Sequence, residues 1–141
     1  MKKLLFILAA LTMIIATGCK KEEKKIDFKT SIVGEWHCAP ADMEVDIYVE
    51  FKAEGDFALY QQLGEGRYRK YTGSWACEGA VLSGTYADGA PWGSSYQLDM
   101  NADILTMTAL NGSKEVINYI KESIPKEVRE DCIEVKSGGT L

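Results

Sequence analysis

The chain contains one histidine, His37, and has no His-x-x-x-His, Cys-x-x-Cys, Gly-x-Ser-x-Gly or phosphate-loop pattern in its 141 residues. That removes the familiar metal, nucleophile and nucleotide sites. Carboxylates offer no obvious acid and base pair either: Glu35, Asp46, Glu50 and Asp99 could meet across strands, but each stands among solvated neighbours. No catalytic set, metal site or cofactor is therefore expected. Basic residues are also in deficit, 16 Lys and Arg against 21 Asp and Glu for a net charge of −5. Without a basic stripe to neutralise phosphates, the chain is not expected to bind nucleic acid. Long apolar runs are missing too. The longest, Leu4 to Ile15, is about 12 residues, short of the roughly 20 that cross a bilayer as a helix.

What that run does have is the right company. Lys2 and Lys3 precede it, Ala16-Thr17-Gly18 follow it, and Cys19 then opens a run of charge. A positive start, an apolar middle and small residues at the cut are the parts of a secretory signal. The segment resembles the lipobox of bacterial lipoproteins, although Ala16 stands where that pattern usually has Leu. The resemblance implies removal of residues 1–18, acylation of Cys19 and attachment to the membrane through it; an ordinary secreted chain is the alternative. Removing residues 1–18 takes two basic side chains with it and leaves a net charge of −7. Residues 19–30, with Lys20-Lys21-Glu22-Glu23-Lys24-Lys25 at their centre, read as a lipidated cysteine and charged tether. Lys20 after the cysteine resembles lipoproteins sorted to the outer membrane of the cell envelope.

Residues 31–131 form one domain by length, with 132–141 expected to be a flexible tail. The dominant period is two. Val45, Ile47, Val49 and Phe51 alternate with Asp46, Tyr48, Glu50 and Lys52, and Gly, Asn or Asp recurs every 10 to 14 residues or so. Eight short antiparallel strands follow, the last over 115–122, where 116–120 also fits a short helix but β-branched residues favour strand, then a short helix near Pro125. With no crossover helix, the pattern predicts an all-β fold, an eight-stranded up-and-down antiparallel barrel with a short C-terminal helix; a β-sandwich is the alternative.

Parity places the tether, the turns near Gly55, Gly79 and Asn101 and the helix at one end. Pro40, Met43, Gly64, Trp92 and Asn111 then ring a mouth at the other. Cys38 and Cys77 fall at opposite ends, which leaves Cys77 and Cys132 as the better placed disulfide pair. Three unpaired thiols are the alternative.

Gly34-Glu35-Trp36 resembles the Gly-x-Trp signature of lipocalins and other calycins, and 73–92, from Gly73-Ser74-Trp75 to Pro91-Trp92, resembles small lipocalin-like lipoproteins. The resemblance implies a barrel whose Trp36 plugs the closed end. Two functions are open. In the first, the barrel holds a small apolar ligand, with Trp92, Met43, Trp36, Trp75, Tyr86 and Tyr96 as contacts. In the second, those rings fill the lumen and the protein is a non-enzymatic interaction or structural lipoprotein. Tyr48, Tyr60, Tyr68, Arg67, Arg69 and Lys70 on the outer sheet would then meet a protein or a glycan at the envelope. His37 should point outward as an exposed strand residue.

Overall fold

The computed structural model describes residues 25–41 and 43–136. The expected signal peptide, Cys19 and the last residues of the tail lie outside that range. Eight strands follow in chain order: β1 (Gly34–Cys38), β2 (Val45–Phe51), β3 (Asp56–Leu63), β4 (Arg69–Glu78), β5 (Val81–Tyr86), β6 (Tyr96–Asn101), β7 (Ile104–Ala109) and β8 (Val116–Lys121). Each pairs antiparallel with its predecessor, and β8 returns to β1 through Trp36 with Lys121 and His37 with Ile120. The sheet closes, so the fold is the up-and-down barrel and not a sandwich. Residues 116–121 are strand, as their β-branching indicated.

Two features modify the cylinder. The β5–β6 seam has only two residue pairs, Val81 with Gln97 and Leu82 with Tyr96. Beyond them β5 is edged by its own following loop, through Trp92 N–H to Gly84 O and Tyr86 N–H to Ala90 O. The indole of Trp92 enters the lumen there. It lies 5.1 Å from the Phe57 ring and 6.3 Å from Tyr96, while Phe57 also meets Tyr86 edge-on and Phe51 meets Trp75. Such edge-to-face pairs add about 0.5–1.5 kcal/mol each beyond area burial. Trp36, Trp75, Tyr86 and Trp92 are all at most 8% exposed, so the lower and middle lumen is solid.

The second feature lies outside. After β8 the chain crosses the outer face as a strap, through Ile124 and helix α2 (Lys126–Glu130), and ends in β9 (Ile133–Glu134), parallel to β4. Ile124 and Val128 bury Tyr48, Ala58 and Tyr60 beneath them in a second small core. Tyr48 and Tyr60 therefore offer no patch to a partner, contrary to their outward parity. Arg67 bonds to Asp131 and Lys70 approaches Glu134, both on the strap. Residues 133–134 are strand, where a flexible tail was expected.

The N-terminal lead-in also differs from a plain tether. A helical turn, α1 (Phe28–Ser31), buries Phe28, and the next residue, Ile32, is fully buried. Both cap the closed end of the barrel beside Trp36, whose indole N–H donates to Ile32 O at 2.8 Å.

Cys38, Cys77 and Cys132 are free thiols, so the expected Cys77–Cys132 disulfide is absent. The strap explains why. Cys132 precedes Ile133, which is in register with Arg69, whereas Cys77 is far along the same strand. Eight residues at about 3.3 Å each separate those positions by some 26 Å, well beyond the roughly 7 Å that a disulfide spans.

Candidate functional site

At the end opposite α1 the barrel stays open. Cys38 of β1, Gln61 and Leu63 of β3 and the first inward residues of β2, β6 and β8 surround a cup of about 230 Å³. Leu59, Ile47, Ile117 and Tyr119 form its wall and floor, and Pro40, Met43, Leu63 and Glu115 its rim. Met43 and Leu63 are 57% and 59% exposed, an unusual state for apolar side chains so close together. The position follows from register: the lining residues are the inward ones over the mouth ends of their strands, two or three deep on β2, β3 and β8, above the level at which Trp92 and Tyr86 block the lumen.

The polar groups of the cup are mostly neutral. Burial pushes the Tyr119 hydroxyl far above its ordinary range, and burial, then Glu115, raises Tyr96. The Cys38 thiol is raised by burial and then by Asp46, so it stays protonated and unreactive at neutral pH. An apolar wall with uncharged donors and one rim carboxylate suits an apolar molecule bearing a single polar end. A lumen of about 150 Å³ already takes benzene. The cup is somewhat larger, so it fits one end of a chain or a single ring system.

Of the six expected contacts, Met43 and Tyr96 line this cup. Trp36, Trp75, Tyr86 and Trp92 do not; they are core. Trp36 and Trp75 use their indole N–H groups on the backbone oxygens of Ile32 and Lys52. Ile47, Ile117, Leu63 and Tyr119 were missed, although the parity of each strand, followed to its mouth end, singles them out.

His37 is also not the exposed strand residue expected. Its ring stacks on Tyr48 at 4.2 Å, with Nε2 2.5 Å from Asp46 and Nδ1 2.5 Å from Glu122, and Tyr68 donates its hydroxyl to Asp46. Both ring nitrogens face carboxylate oxygens. With neither nitrogen open to a bound molecule, the cluster ties β1 and β2 to the residues just before β4 and just after β8. The Tyr68 hydroxyl is held far above its ordinary pKa by burial and then by Asp46.

No protein-family model and no curated protein matches the sequence. Among solved structures, an NMR structure of a protein from Bacteroides uniformis ATCC 8492 is similar over 74% of this chain and 99% of its own, at 12% identity and a TM-score of 0.55. A lipoprotein, YedD, from Klebsiella pneumoniae aligns over 69% of this chain and 78% of its own, at 12% identity and a TM-score of 0.45. At such identities the first likeness speaks to the fold alone.

Proposed function

We propose that the protein is a lipid-anchored, non-enzymatic envelope protein whose barrel mouth binds a small apolar ligand. The observation that carries the ligand reading is the cup itself: apolar walls left open above a lumen that is otherwise filled. Its volume argues for a slim ligand, with the remainder of the molecule projecting between Met43 and Leu63. Anchoring rests on the leader and Cys19, and the outer membrane on Lys20.

Two experiments test the two halves separately. Linear alcohols of increasing chain length should shift the Met43 and Ile117 methyl resonances, and Ile117→Phe, which fills the cup from a half-buried position, should weaken binding at least tenfold, about 1.4 kcal/mol. Equal affinity in the filled variant would remove the cup as the site. For the anchor, Cys19→Ala should abolish incorporation of labelled palmitate and release the protein from membranes. Undiminished labelling would leave the leader as a plain secretory signal.

A further inference from the structure

Two polar side chains of the cup are buried and unspent. Tyr119 and Tyr96 line it and are 1% and 6% exposed, yet neither hydroxyl has a hydrogen-bond partner among the described residues. Buried tyrosine hydroxyls usually find one. Nor are these two sealed by packing. Among the described residues Trp92 Nε1 is the one unpaired side-chain polar atom that is closed off altogether, so both hydroxyls meet open space, and the space that both side chains border is the cup.

Their surroundings are one-sided. Burial, then Cys38, Tyr96 and Tyr86, hold the Tyr119 hydroxyl far above its ordinary range, which sets it among β1, β5 and β6 and keeps it a neutral donor. No lysine or arginine lines the cup, and its one carboxylate, Glu115, stands at the rim. The depth of the cup is therefore uncharged but not apolar.

Building on the ligand reading above, we propose that the mouth takes its ligand oxygen first. The ligand is an apolar molecule with an uncharged oxygen acceptor at one end. That oxygen enters the cup and meets the hydroxyls of Tyr119 and Tyr96, while the apolar remainder packs on Ile47 and Ile117 and leaves between Met43 and Leu63. Other end groups fit less well. A carboxylate would pass Glu115 and then be buried with no cation beside it. An ammonium has its counter-charge only at the rim, so it would hold the apolar tail inward and leave both phenols unpaired, as a hydrocarbon would. A carbonyl or hydroxyl oxygen satisfies the phenols and carries no charge into the lumen. Tyr119 and Tyr96 on this view set specificity, and Ile47 and Ile117 supply affinity.

Probes of one length separate the cases. Butyl methyl ketone, hexanol, hexene, hexanoate and hexylamine are titrated into the full chain held in nanodiscs and read from the Met43 and Ile117 methyl resonances. The ketone and the alcohol should bind more tightly than hexylamine and hexanoate. Tyr119→Phe removes the hydroxyl alone and should lower the affinity for the ketone, relative to that for hexene, about tenfold, the scale of one hydrogen bond. Tyr96→Phe should act in the same direction. Because the Tyr119 hydroxyl holds nothing in the fold, Tyr119→Phe should melt no lower than the unsubstituted chain, whereas loss of a structural hydrogen bond would lower the midpoint. An unchanged ketone-to-hexene ratio in both variants overturns the proposal, as does tighter binding of hexylamine than of the ketone or a Tyr119→Phe midpoint several degrees down. In each of those cases the cup itself stands if Ile117→Phe abolishes hexene binding. If no probe binds, the cup falls as the site and the oxygen-first orientation falls with it.

Discussion

Gly73→Ala is expected to destabilise the barrel by about 4 kcal/mol or more, which few single substitutions reach. A Cβ at Gly73 would stand 2.0 Å from the carbonyl oxygen of Thr85, 2.9 Å from the Cα of Tyr86 and 2.8 Å from the Phe57 ring. Two of those three atoms are backbone of the neighbouring strand. A side chain can rotate away, but a strand can yield only by giving up its ladder. β5 has little else to hold it, since its other edge makes only two pairs with β6, and the loop that seats Trp92 hangs from β5. Parting β4 from β5 at Gly73 thus loosens Tyr86 and Trp92 together. Gly84→Ala is the instructive comparison. There the three atoms nearest the added methyl all belong to the Trp92 indole, a side chain that can rotate, so the loss is bounded by the burial of one tryptophan, about 3–5 kcal/mol. Urea unfolding followed by tryptophan emission separates the two. Gly84→Ala should red-shift emission in a barrel that still unfolds cooperatively, whereas Gly73→Ala should lose most of its transition. A Gly73→Ala midpoint close to the unsubstituted protein would show that the strands adjust where the packing says they cannot.

The barrel was legible because its inward residues repeat at period two and its turns are marked by glycine, asparagine and aspartate. What parity cannot express is a second layer. Tyr48 and Tyr60 face outward and are directly paired across β2 and β3, so each reads as surface until something covers them. The cover was written in Ile124 and Val128, one just before Pro125 and one in α2, which pack together over the same tyrosines. Phe28 and Ile32 form a similar pair at the other end, hidden in a polar run that looks like a spacer. An apolar pair in a polar stretch needs a surface to pack on, and here both pairs found the barrel. The site was harder to read for a different reason. Aromatic size suggested contacts, but height along the barrel decides which inward residues touch a ligand. Trp36, Trp75, Tyr86 and Trp92 lie below the mouth and became packing, while the smaller Ile47 and Ile117 stand at its edge.

Arg129→Ala is expected to cost about 2–3 kcal/mol at pH 7 and much less in acid. Glu35 and Glu50 are opposite each other in the β1–β2 register, an arrangement that is destabilising alone. Arg129 reaches from the strap between them, 2.6 Å from Glu35 and 3.2 Å from Glu50, with its guanidinium over the Tyr60 ring. Burial by itself raises the Glu35 carboxyl, but the Ile124 N–H and Arg129 overcome it and leave the group below its ordinary range. A lowered carboxyl stabilises the fold above its unfolded pKa, and that contribution is lost as pH falls through the folded value. Partial exposure screens these ion pairs, so most of the cost should come from the two carboxylates left facing each other and from looser packing over Tyr60. In Arg129→Ala the balance at Glu35 reverses: desolvation and Glu50 should lift it above the usual carboxylate range. Denaturation at pH 7 and near pH 3, with NMR titration of Glu35, reads both effects. Arg129→Lys keeps the charge but not the fork that reaches two carboxylates, and should fall between. A loss below about 0.5 kcal/mol at pH 7, the scale of an exposed pair, would mean that Ile124, Val128 and the β9 pairing hold the strap without help from Arg129.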